Sequence, residues 1–70
     1  MNERVQERLN KIENYARELQ SMCKSIIMDV DDVRDSNDSS DLMVVESNFA
    51  RIMRTAEDAY DYVQDTYDEF

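Results

Sequence analysis

Two runs of apolar residues, each stepping alternately by four and three, decide most of what this chain can fold into. Val5, Leu9, Ile12, Ala16, Leu19, Cys23, Ile26, Val30 and Val33 keep that rhythm without a break. It returns at Leu42, Val45, Phe49, Ile52, Ala56, Ala59, Val63, Thr66 and Phe70. Such spacing lays a seam along one face of a helix, where a half-buried strand would alternate every second residue. Between the runs, Asp35-Ser36-Asn37-Asp38-Ser39-Ser40 is a cluster of turn and capping residues with little helix preference. Asn2 suits an N-cap and Glu3 the positive end of a helix dipole. The sequence therefore predicts an all-α chain in one domain: a helix over about residues 2–34, a polar loop over about 35–40, and a helix over about 41–69.

A loop this short makes the helices antiparallel neighbours. Folding about residue 37 would set Val33 near Leu42, Ile26 near Phe49 and Ile12 near Val63. A lone hairpin nevertheless buries too little apolar surface to offset the ordering of its chain. Flanking residues widen the seam in the right way. Met53, Tyr60 and Tyr67 recur one heptad apart, with Met43 and Ala50 close by and Ile27 on the same side, while Tyr15, Met22 and Tyr62 line the other flank. These residues predict an interface: either dimerisation of the antiparallel hairpin into a four-helix bundle, or a groove for a helix from another protein.

Composition removes most chemistry. The 70 residues contain no glycine, proline, histidine or tryptophan and a single cysteine. Within one chain this excludes a disulfide framework, a Cys/His zinc site, a His-based catalytic set and a glycine-rich phosphate loop. Cys23, on the seam, is expected to act as a small buried hydrophobe. Carboxylate pairs occur everywhere in so acidic a chain, and a helical hairpin offers no evident concave pocket to shift their pKa values. No enzyme and no cofactor are expected. Without a long apolar run or a charged-then-apolar leader, the chain reads as soluble and cytoplasmic.

Seventeen Asp/Glu against eight Lys/Arg give a net charge of −9, which argues against direct binding of nucleic acid or of an anionic membrane. The charge is uneven. Residues 1–27 sum to +1, residues 28–46 to −6 and residues 47–70 to −4. Around the loop, Asp29, Asp31, Asp32, Asp35, Asp38, Asp41 and Glu46 face Arg34 alone. Such a tip is either merely solvated or a surface that meets a cation or a basic protein. Met28, Met43 and Val44 are expected to point outward beside it. At the far end, Arg4, Arg8 and Lys11 should lie alongside Asp65, Asp68 and Glu69.

Two sharper readings follow from the acids. Asp35, Asn37, Ser39, Asp41 and Glu46 fall at the first, third, fifth, seventh and twelfth places of the twelve-residue calcium loop. Ser40 stands where that loop needs glycine, and the heptad resumes at Leu42 inside it, so calcium binding over residues 35–46 is only a distant third reading. Asp58, Asp61, Asp65 and Asp68 form an outward row with a carboxylate every ~5 Å along the helix axis. A row of that kind can imitate a phosphate backbone and block a basic nucleic-acid-binding protein. The leading expectation is a small interaction module (an adaptor, chaperone or regulator), with the mimic as the alternative.

Overall fold

A computed structural model of the chain describes residues 2–70. Helix α1 runs Glu3–Ser36, helix α2 runs Ser39–Thr66, and a 3-10 turn, Tyr67–Glu69, finishes the chain. Asn2 caps α1 as expected, its side-chain oxygen accepting from the Val5 amide at 2.8 Å. The connection is shorter than its six polar residues suggest, because Ser36 still belongs to α1 and Ser39 already to α2. Asn37 makes this possible. It adopts φ 53°, ψ 36°, the left-handed conformation that ends helices, and its amide donates to the Val33 carbonyl at 2.8 Å. Asp38 then caps α2, accepting from the Ser40 amide at 2.9 Å. Two residues thus reverse the chain.

The helices pack antiparallel as a hairpin measuring 52 × 15 × 9 Å. Tyr15 meets Tyr62, Asp29 meets Asn48, and Ser36 meets Asp41, so the register folds between Asp38 and Ser39. That is about one residue later than expected from the sequence. The apolar seam also turns out to be split. Its inner column is as anticipated: Val5, Ile26 and Val45 are buried, Thr66 is buried with them, and Ile12, Leu19, Val33, Ile52 and Ala59 are half-buried.

The second column that enters the hairpin is a different one. Arg8, Tyr15, Met22 and Asp29 of α1 face Asp41, Asn48, Thr55 and Tyr62 of α2 and Glu69 of the 3-10 turn, all half-buried. Leu9, Ala16, Cys23, Leu42, Phe49, Ala56 and Phe70, assigned to the seam by their spacing, are exposed. The reason is volume and pairing. Ala16 and Cys23 opposite Ala56 would put little side chain between the helix axes, whereas Tyr15, Met22, Thr55 and Tyr62 fill that space. The polar members of the column satisfy one another. The Asn48 amide donates to Asp29 at 2.6 Å, and Ser36 donates to Asp41. Arg8 donates to Thr66 Oγ1 at 2.9 Å, and the Thr66 hydroxyl in turn donates to the Tyr62 carbonyl at 2.7 Å.

Candidate interaction surface

At about 100° per residue, the column that closes the hairpin and the displaced apolar column lie on either side of the inner one. On antiparallel helices the displaced columns fall on the same side of the pair. They merge there into one broad apolar face. Leu9 (37 %), Ile27 (64 %), Phe49 (51 %), Met53 (71 %), Tyr60 (65 %) and Tyr67 (68 %) stand exposed on it, with Ala16, Cys23 and Ala56 between them. Leu42, Met43 and Phe70 continue the face to both ends.

This arrangement divides the residues expected to form one interface. Ile27, Met43, Met53, Tyr60 and Tyr67 lie on or beside the open face. Tyr15, Met22 and Tyr62 do not join them, because they are half-buried between the helices. The two tyrosine rings sit 5.9 Å apart at 52°. Arg8 stacks its guanidinium 4.1 Å over the Tyr62 ring, and Lys11 places its ammonium at 4.8 Å. These two cations were expected to neutralise the acids opposite; instead they cover an aromatic ring. Among the described residues only Arg4 makes the anticipated pair at that end, meeting Glu69 at 2.9 Å. Cys23 is exposed rather than buried.

The acids likewise divide. Asp29 is half-buried and accepts from Asn48, Asp31 pairs with Arg34 at 2.7 Å, and Asp38 is occupied as a cap. Asp29 is therefore not part of a free contact surface. Asp32, Asp35, Asp58, Asp61, Asp65 and Asp68 are exposed, and among the described residues none of them forms an ion pair. The row from Asp58 to Asp68 lies on the charged side of α2, turned away from the open apolar face. At the loop, the calcium-like spacing does not become a calcium loop. Asp35 is in α1, Ser39, Asp41 and Glu46 are in α2, and Asp41 is engaged with Ser36. No group of three or more Cys, Asp or Glu side chains among the described residues is placed to hold a metal ion.

The sequence held one neglected signal of the true seam. Arg8, Asp29, Asp41, Asn48, Thr55 and Glu69 recur at heptad spacing beside the inner column, a set of polar residues able to pair across a hairpin. No helix in the described residues is long and apolar enough to cross a membrane. No protein-family model, curated protein or solved structure matches the chain.

Proposed function

We propose that this chain is a non-enzymatic protein–protein interaction module of the cytoplasm, an adaptor, chaperone or regulator that works as a four-helix bundle of two hairpins. The observation that carries this reading is the open apolar face. Ile27, Met53, Tyr60 and Tyr67 are each about two-thirds exposed along one side of a hairpin whose buried apolar residues, among those described, are Val5, Ile26 and Val45. Contiguous apolar surface on that scale marks a contact site. Each helix already uses one direction for its partner within the hairpin, and the open face points about 100° away from it. Helices at the corners of a square bundle meet two neighbours at close to that angle. The acidic loop tip remains outside the bundle, available to a basic partner.

Sedimentation equilibrium from low to high micromolar concentration, at two salt levels, tests the reading. A dimer that dissociates when Met53 and Tyr60 become lysine, with helical content retained, is the expected result. A folded monomer over the whole range would overturn it.

A second reading rests on a separate observation, the four exposed carboxylates of Asp58, Asp61, Asp65 and Asp68, which form no ion pair among the described residues. In that reading the chain blocks a basic nucleic-acid-binding protein by electrostatic mimicry. Binding would then fall steeply with salt and with Asp58→Asn, Asp61→Asn and Asp65→Asn. Calcium binding at Asp35, Asn37, Ser39, Asp41 and Glu46 has no comparable support.

A further inference from the structure

Resting on the proposed dimer, we infer how the second copy lies on the open face: the α1 edge of each hairpin receives the α2 edge of the other, with both turns at the same end. The two edges are unlike. Along α1, between Leu9 and Ile27, the face is shallow, built on Ala16 and Cys23; at the same heights along α2 it is raised by Met53 and Tyr60. Counted from the turn, Cys23 stands at the height of Met53 and Ala16 at the height of Tyr60, each to within about 2 Å. A second copy rotated about the long axis of the bundle therefore sets large side chains over small ones at two successive layers. The outer margins are unlike in charge as well. Lys24 rims the α1 edge together with Arg17, which pairs with Glu13 at 3.1 Å, whereas Glu57 rims the α2 edge at a height between the two cations. Neither Lys24 nor Glu57 has an ion pair within the chain among the described residues.

The alternative, with turns at opposite ends, lays α1 on α1 and α2 on α2. It opposes two shallow edges, leaves volume unfilled between them, and brings Glu57 close to the partner's Glu57. The surface available suits a second copy. The chain exposes 5624 Å², against about 4,600 Å² for a compact monomer of 8.3 kDa. The excess of about 1,000 Å² is close to the roughly 800 Å² that each partner contributes to a standard interface. A consequence is that two acidic tips are displayed together, doubling the negative charge offered to a basic partner.

A nitroxide at Ser39→Cys, introduced with Cys23→Ala so that only the turn is labelled, reads the orientation by electron–electron distance. Ser39 is exposed, and sedimentation of the same protein monitors assembly. The expected distance in the dimer is below about 30 Å, since neighbouring helices in a bundle lie about 8–10 Å apart. A distance near the 52 Å length of the hairpin would overturn the orientation while leaving the dimer standing. A monomer would overturn both. As a second measurement, Lys24→Glu or Glu57→Lys alone should weaken dimerisation on the order of tenfold, through two equivalent pairs. The double variant should restore it. A double variant as weak as the singles overturns the edge pairing.

Discussion

Asn37 is where a single residue decides the fold. Among the described residues it is the one non-glycine position with positive φ, and the chain has no glycine to take that place. Asparagine tolerates the left-handed region because its short side chain bonds locally, and a β-branched residue there clashes with its own backbone. Asn37→Gly should hold the hairpin at or slightly above its parent stability. Asn37→Val should cost about 1–2 kcal/mol. Thermal unfolding followed by circular dichroism separates the two, and equal melting temperatures for both would contradict the assigned turn. The sequence marked residues 35–40 as a break but not how tightly it closes. Tightness depends on Asn37 donating to Val33 while Asp38 already caps the next helix, and both contacts exist only once the two helices are formed.

At the scale of the helices, periodicity was informative about columns and uninformative about sides. Val5, Ile12, Leu19, Ile26 and Val33 were identifiable as the centre of the α1 face, and the structure turns all of them inward. Which neighbouring column closes the hairpin is settled by partners far apart in sequence: Asp29 with Asn48, Tyr15 with Tyr62, Arg8 with Thr66. Hydrophobicity alone favours the wrong side, since the column of Leu9, Ala16, Cys23 and Val30, of which only Val30 at its end is half-buried, is more apolar than that of Arg8, Tyr15, Met22 and Asp29. The same misassignment hid part of the candidate surface, because Leu9, Phe49 and Phe70 were counted as core and not as contact residues. Met53, Tyr60 and Tyr67 were legible, lying beside the seam with no place in it.

The Asp29–Asn48 layer carries its own expectation. A half-buried carboxylate that loses its donor keeps its desolvation cost, so Asn48→Leu should destabilise by about 1–3 kcal/mol. Replacing both residues by leucine removes the polar demand, and the double variant should be at least as stable as the parent. A double-mutant cycle on denaturant midpoints measures this. Additive losses would mean that the layer contributes nothing as a pair.

For the molecule as a whole, stability and association should be one property. Among the described residues the buried apolar ones are Val5, Ile26 and Val45, so in the proposed dimer much of the stabilising burial comes from covering the open face. The melting temperature should therefore rise with protein concentration, as it does whenever folded chains associate and unfolded chains do not. Each chain carries −9, and screening its self-repulsion should tighten the dimer as ionic strength rises. A melting temperature independent of concentration would place the stability inside the single hairpin and contradict this coupling.

Arg4 and Glu69 sit 2.9 Å apart, which brings the two outer helix ends side by side at the end remote from the turn. Tension applied between those residues would act across the cross-helix layers one at a time, peeling the pair apart like a zipper instead of shearing every layer at once. Rupture should begin at the Arg4–Glu69 pair, meet resistance at the Arg8–Tyr62–Lys11 stack, and end at Asn37. The separated strand would extend by on the order of 200 Å at roughly 3.4 Å per residue. In an optical trap the expected trace is a low-force, gradual lengthening, with a pause at the aromatic stack that Tyr62→Ala removes.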